Sequence, residues 1–250
     1  MKKFVLGDVH GGYKSLMQCF ERSKFDYQKD KLIVLGDVCD GWPQTRECID
    51  ELLKIKNLIY IIGNHDAWAL DYFKNGNKEH MWVTQGGYNT INSYKDGMPK
   101  SHINFLENAK LWHIEGNILF VHGGIKSGTS VEENSAEYIM WDRELIESAQ
   151  QKGHNRQDYR IQRIYDEIFV GHTTTGHFKT YEPVKFCEIN DIDTGGGWEG
   201  KLTIMNLCTR EYFQSDSVKI LYPYGHDRKE YKNQYIYDIM FNSQLFHNHP

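Results

Sequence analysis

The sequence predicts an α/β fold built on a mostly parallel sheet, and two observations carry that prediction. Short apolar runs alternate with segments of helical period through the N-terminal part of the chain, the pattern of βαβ units. Five of the apolar runs then end beside a glycine and a side chain able to do chemistry: Gly7-Asp8, Gly36-Asp37, Gly63-Asn64, His122-Gly123 and Gly171-His172. Parallel α/β sheets bind ligands at the carboxyl ends of their strands. One such ending could be a helix cap, but five together predict a site along one sheet edge.

The elements follow in chain order. Phe4–Leu6 reads as a strand that stops on "GDVHGG" (7–12), where Asp8 and His10 stand two residues apart and so point the same way. Helical spacing over Tyr13–Arg22, a strand at Leu32–Leu35, a helix over Gln44–Ile55 and a strand at Leu58–Ile62 complete the first repeats. From Ala67 to His113 the pattern is helical and aromatic, with breaks at Gly86-Gly87 and at "KDGMPK" (95–100). Ile118–Val121 and Ile168–Val170 read as strands, and Glu133–Gln151 and Gln157–Glu167 as helices. After Tyr181, "VKFCEINDIDTGGG" and "KLTIMNL" predict short strands joined by turns, hence a second β layer. Tyr224–Pro250 is polar and weakly patterned, so the reading is one catalytic domain over 1–223 and a C-terminal extension over 224–250.

Composition narrows the class. A chain of 250 residues with 40% hydrophobic and 25% charged residues is long enough to bury a substantial core. Its net charge of -5 offers no broad basic field for nucleic acid. "MKKFVLGD" has too short an apolar run for a signal peptide, and no later stretch is long enough to span a bilayer. Five cysteines, odd in number and without a CxxC pair, fit reduced thiols and a cytoplasmic location.

The strand ends supply Asp8, His10, Asp37, Asn64, His122 and His172. This nitrogen and oxygen set, free of thiolate, suits Mn, with Fe and Zn as alternatives. Six donors exceed one tetrahedral zinc site but suffice for two divalent ions about 3.5–4 Å apart that share a carboxylate. On chemistry alone Asp8 and Asp37 both qualify as the shared group.

"GDVHG" (7–11), "GDVCDG" (36–41), "GNHD" (63–66), "HGG" (122–124) and "GHT" (171–173), in that order, resemble the motifs of the PPP-type metallophosphoesterases. That family includes protein serine/threonine phosphatases and symmetrical diadenosine tetraphosphate hydrolases. "DTGGG" (193–197) is a further point of similarity to the hydrolases. The resemblance implies a central β-sandwich flanked by helices, the calcineurin-like arrangement. It implies Asp8 and His10 on the first metal, Asp37 as the bridge, and Asn64, His122 and His172 on the second. It also implies His65 as general acid, Asp40 as the carboxylate that orients it, and Arg143 in "WDR" (141–143) as a contact to the substrate phosphate. The reaction so implied is in-line attack on phosphorus by a hydroxide bridging two metals, whose water has its pKa lowered from 15.7 towards about 7.

One position departs from the family. Where an arginine normally follows the second aspartate, this chain reads Asp40-Gly41-Trp42-Pro43. Arg143 then acts alone, or Arg46 supplies the lost charge. The leading reading is a metal-dependent phosphomonoesterase acting on a phosphorylated protein or a small phosphoester. Its rivals are symmetrical diadenosine tetraphosphate hydrolysis and a metal-bound regulatory module without catalysis. "WVTQGGYNTINSY" (82–94) lies where helical insertions can roof a metal centre, so its aromatics could grip a substrate or simply pack. Asp66 reads as a helix-start residue complementing the dipole, and Cys39 as a small buried hydrophobe. His177 is expected to stay outside the site; His154, His226, His247 and His249 receive no role.

Overall fold

The computed structural model describes residues 1–153 and 160–223. His154, His226, His247, His249 and the extension over 224–250 lie outside the described residues. Among the described residues ten strands form two five-stranded sheets. The first holds β1 (Lys3–Leu6), β2 (Lys31–Val34) and β3 (Asn57–Tyr60), and the second β4 (Trp112–Glu115), β5 (Ile118–Val121), β6 (Glu167–Val170), β7 (Val184–Phe186) and β8 (Ile189–Asp191). β9 (Thr203–Asn206) and β10 (Tyr212–Gln214) return to the first sheet, giving the orders β10-β9-β1-β2-β3 and β4-β5-β6-β8-β7. The strands after Tyr181 are therefore shared between both sheets rather than forming a layer of their own. β1, β2 and β3 run parallel, as do β5, β6 and β8, while β9 joins β1, β10 joins β9, β4 joins β5 and β7 joins β8 antiparallel.

Strand alternation sorts the side chains into layers. Val5, Ile33, Phe120 and Phe169 point between the sheets, where Phe120 and Phe169 stack at 5.3 Å and 12°. Their neighbours Phe4, Leu6, Leu32 and Val34 face the helices of the first sheet, and Leu119, Val121, Ile168 and Val170 those of the second. Both faces of each central strand are thus buried, which explains the unbroken apolar runs. Truncating Phe120 or Phe169 to alanine would cost about 3–5 kcal/mol.

The helices are α1 (Tyr13–Ser23), α2 (Thr45–Leu52), α3 (Asn64–Asn75), α4 (His80–Trp82), α5 (Tyr88–Ser93) and α6 (Lys100–Glu107) over the first sheet. α7 (Ala136–Trp141) and α8 (Glu144–Gly153) cover the second, and α9 (Val218–Leu221) follows β10. Two expectations need correction. The helix predicted over Glu133–Gln151 is broken at Asp142, whose extended backbone lets its carboxylate accept from the N–H groups of Glu144 and Leu145 and start α8 afresh. Residues 160–166 of the predicted Gln157–Glu167 helix form no helix, and Glu167 already opens β6. There the Gln162 side-chain oxygen accepts from the N–H groups of Arg163 and Ile164, and its amide donates to Thr129 O at 2.7 Å. Such local side-chain bonds compete with the helical ladder.

Glu115, on the edge strand of the second sheet, clasps Lys3 and Lys31 of the first. Burial opposes its ionisation, but the two lysines outweigh burial and hold the carboxyl down at about 2, against 4.5 ordinarily. A depressed folded pKa contributes stability that is present above the unfolded value and lost as pH falls through the folded one. Glu115→Gln is therefore expected to melt below the wild type at pH 7, with the gap in Tm closing between pH 4.5 and about 2. A gap that stays constant across that range in thermal melts would show that the clasp does not contribute through its charge.

Candidate metal centre

Every loop that leaves a parallel strand at its carboxyl end reaches one place. Asp8 and His10 follow β1, Asp37 and Asp40 follow β2, Asn64 and His65 open α3 after β3, His122 follows β5, and His172 follows β6. All eight are buried. His10, Asp37, Asp40 and His172 have positive φ, at 47°, 49°, 71° and 65°. Left-handed backbone in non-glycine residues costs energy and persists where the surroundings enforce it. Here the enforcing contacts join neighbouring loops: the N–H groups of Val9 and His10 donate to Asp37 O at 3.1 and 2.7 Å, and Gly11 N–H donates to Val38 O at 2.8 Å.

The donor atoms gather into two groups with one member in common. Asp8, His10 and Asp37 form one, and Asp37, His122 and His172 the other, with the ligand atoms of each group within 4.8 Å of one another. His122 Nε2 lies 3.4 Å from Asp37 Oδ2 and 3.0 Å from Asn64 Oδ1. The other ring nitrogens of two histidines face backbone carbonyls: His122 Nδ1 is 2.7 Å from Leu35 O and His10 Nδ1 is 3.0 Å from Cys39 O. That outer contact fixes ring orientation and leaves Nε2 aimed inward, as metal-ligating histidines require.

Electrostatics match the geometry. Burial, reinforced by Asp193, holds the Asp8 carboxyl well above the usual range. Burial also works against ionisation of Asp37, but His122, His65 and His10 outweigh it and hold that carboxyl well below the usual range. His122 loses to burial but gains more from Asp37, which pushes it up to about 10, whereas burial beside His122 and Arg143 pushes His172 down to about 2. Asp8 Oδ1 and His172 Nε2 are buried without a hydrogen-bond partner. Buried polar atoms ordinarily find partners. A carboxylate oxygen and a neutral imidazole nitrogen left facing the same cluster are the donors two divalent cations take up, so these residues fit a dinuclear centre.

Beside the cluster, His65 Nδ1 lies 2.6 Å from Asp40 Oδ2. Arg143, between α7 and α8, donates through Nη1 to His172 O at 3.0 Å, which anchors it at the rim. Arg46 sits exposed on α2, its N–H donating to Ser93 Oγ at 3.0 Å, and among the described residues no hydrogen bond or ion pair joins its guanidinium to the cluster. Gly41 has a φ of 75°, and a Cβ there would lie 2.9 Å from His10 Cβ. This loop cannot accommodate an arginine at that position without moving a donor of the cluster. His177 pairs instead with Glu147 on α8, at 3.7 Å.

Several residues carry more than their sequence suggested. Asp66 does not merely face the start of α3: it is fully buried and accepts from the N–H groups of Asp37, Cys39 and Gly63 and from Tyr60 Oη. The glycines of "DTGGG" admit the site's own side chains, since a Cβ at Gly197 would lie 2.2 Å from His10 Cδ2. Trp68 stands edge-on to His65, with ring centres 5.3 Å apart, and Trp141 edge-on to Trp68 at 4.9 Å and to His172 at 5.8 Å. Both tryptophans lie in segments read as helical, and Trp141 opens "WDR", but helical spacing does not bring two distant segments together; only the fold brings them to the rim.

A family model described as calcineurin-like phosphoesterase matches residues 1–195. Serine/threonine-protein phosphatase 1 of Salmonella typhimurium is 24% identical over 212 residues, covering 82% of this chain and 91% of the relative. A symmetrical bis(5'-nucleosyl)-tetraphosphatase of Nitrosospira multiformis is 25% identical, covering 53% of this chain and 47% of the relative. A solved metallophosphoesterase structure from Sphaerobacter thermophilus superposes with a TM-score of 0.55 at 17% identity, covering 87% of this chain and 89% of that one.

The shared position of Asp37 has a stoichiometric consequence. Mass-spectrometric metal analysis after Mn²⁺ loading should find about two ions per wild-type chain, about one in His10→Ala, and fewer than one in Asp37→Asn. Retention of both ions by Asp37→Asn would exclude Asp37 as the common ligand.

Proposed function

Since the chain belongs to the calcineurin-like phosphoesterase family, we propose that it is a dinuclear-metal phosphatase for phosphomonoesters, with phosphoserine and phosphothreonine in proteins as its leading substrate class. The observation that carries this reading is the close His65–Asp40 pair, at 2.6 Å, beside the five clustered donors and Asn64. A serine or threonine alkoxide is a poor leaving group and needs a proton as it departs. A phosphoanhydride of the diadenosine tetraphosphate kind releases a nucleotide that departs without one. An intact acid pair therefore favours the monoester.

Two divalent ions held by Asp8, His10, Asp37, Asn64, His122 and His172 would polarise the phosphate oxygens and lower the pKa of a water between them. In this reading Asp37 is the bridge, supported by its membership of both donor groups. His65 delivers a proton to the departing oxygen while Asp40 holds its Nδ1–H. Arg143, tethered through His172 O, offers its remaining guanidinium N–H groups to a phosphate. Trp68 and Trp141 wall the side of the centre on which His65 stands. The thiolate-free donor set supports Mn, with Fe or Zn as alternatives. Five free cysteines support a reducing, cytoplasmic setting. Residues 1–223 would form the catalytic unit. No described helix is long and apolar enough to cross a membrane.

The second reading, symmetrical diadenosine tetraphosphate hydrolysis, draws on the tetraphosphatase relatives. The deciding experiment measures kcat/KM of the Mn-loaded enzyme for a phosphoserine peptide and for diadenosine tetraphosphate side by side. Preference for the peptide with release of free phosphate is expected; preference for the dinucleotide with ADP as product would transfer the chain to the second reading. His65→Ala should lower kcat on the peptide by about 10²–10⁴ with metal content unchanged; a matching loss of metal would sink the general-acid role.

The two arginines separate in the same assay. Arg143→Ala should lower kcat/KM about a hundredfold, as loss of a charge-assisted phosphate contact does. Arg46→Ala tests whether a second cation replaces the family arginine: an unchanged kcat/KM would leave Arg143 acting alone.

A further inference from the structure

The acid pair is gripped by a segment that no motif marks. Asp40 is fully buried, and both of its carboxylate oxygens are engaged. Oδ2 accepts from Trp82 Nε1 at 2.8 Å as well as facing His65 Nδ1, and Oδ1 accepts from Thr90 Oγ1 at 2.7 Å. The same hydroxyl accepts from the Asp40 N–H at 2.7 Å, so Thr90 clamps the residue from both its backbone and its side chain. Asn89, one position earlier, donates its amide to Gly41 O. Three side chains within nine residues therefore hold two consecutive residues of the loop after β2.

The local backbone is built to place them. Trp82 ends α4 and Tyr88 begins α5, and between them the chain kinks at Gln85 and Gly86, whose backbone leaves the helical range, Gly86 at a φ of 108°. A Cβ at Gly87 would lie 2.5 Å from Trp82 Cε2, so the indole is seated in the space that this glycine leaves. Trp82 is itself fully buried and rests against Tyr72 at 5.1 Å. A buried indole N–H needs an acceptor, and here the acceptor is the same carboxylate oxygen that faces His65 Nδ1.

We propose that Trp82 and Thr90 are positioning residues for proton delivery: through Asp40 they fix the ring of His65 so that its Nε2 faces the departing oxygen. The inference rests on the reading of His65 as general acid. As the bond from phosphorus to the leaving oxygen breaks, the proton on Nε2 passes to that oxygen. The imidazole becomes neutral and keeps its Nδ1–H on Asp40. With Oδ1 and Oδ2 each held by another donor, the carboxylate has one orientation in which a lone pair meets Nδ1. Losing either donor frees the carboxylate to rotate and the ring to follow. The segment over 82–94 thus acts behind the acid rather than as a lid above the substrate.

The test uses two substrates that differ in their need for a proton, a phosphoserine peptide and p-nitrophenyl phosphate, with Mn-loaded W82F, T90V, T90S and H65A. W82F and T90V are expected to lower kcat/KM on the peptide about tenfold while changing that on p-nitrophenyl phosphate by less than about twofold. T90S, which keeps the hydroxyl, should restore the wild-type ratio. Equal losses on both substrates would mark Trp82 and Thr90 as structural only, and no loss on either would end the proposal. The Thr90 pair decides the matter if W82F does not fold. H65A separates the premises: a leaving-group-dependent loss in H65A without one in W82F and T90V overturns the positioning role alone. An H65A loss equal on both substrates overturns the general-acid reading itself.

Discussion

The site depends on one buried carboxylate that touches no substrate. Asp66 receives the N–H groups of Asp37 and Cys39 from the loop after β2, that of Gly63 from the turn after β3, and the Tyr60 hydroxyl from the end of β3. Burying a charge is costly unless it is paired or fully hydrogen-bonded, and four donors meet that condition here. Burial and the neighbouring Asp37 nevertheless push its carboxyl up to about 6. The arrangement turns two strand ends and a helix start into a single rigid unit. Asp37 keeps its left-handed backbone, at a φ of 49°, with its N–H held by Asp66 Oδ2 at 2.9 Å.

From that unit outward the centre is assembled by backbone contacts between loops rather than by side chains seeking each other. The turns after β1 and β2 are sewn together by the N–H groups of Val9, His10 and Gly11, and Trp42 N–H returns to His10 O. His122 reaches back to Leu35 O across the two sheets. Asp8 accepts from the His172 N–H, so the loop after β1 of one sheet is tied to the loop after β6 of the other. The two sheets must therefore be docked before both donor groups exist. The apolar layer of Val5, Ile33, Phe120 and Phe169 and the Glu115 clasp on Lys3 and Lys31 hold that docking.

The departure at Gly41 follows from the same crowding. Left-handed backbone and the nearness of His10 exclude a side chain there, and the vacated carbonyl is taken by Asn89. Trp42, next in sequence, turns inward, donating from its indole to Gly196 O at 2.8 Å and stacking on Tyr222 at 4.8 Å and 14°. The loop after β2 is here committed to holding the His65–Asp40 pair and to packing against the end of the described chain.

Local sequence determined the parallel strands, most of the helices between them and the chemical identity of the donors, but not the antiparallel strands β4 and β10. Alternation fixes which face each strand residue takes, and a polar residue just beyond a buried strand has only the sheet edge to occupy. Hence Asp8, Asp37, Asn64, His122 and His172 could be read from their positions alone. Local pattern failed where side chains compete with the backbone, as Gln162 does over 160–166 and Asp142 does at the start of α8. It was silent where a contact joins residues far apart in the chain. Nothing in "WVTQGGYNTINSY" announces that Trp82 and Thr90 meet Asp40, 42 and 50 residues away. Nor does "GNHD" reveal that its last residue gathers N–H groups from 29 and 27 residues upstream. Periodicity reports which way a side chain faces on its own element. Which buried donors then converge on one carboxylate is set by the docking of whole elements, and only the tertiary structure decides that.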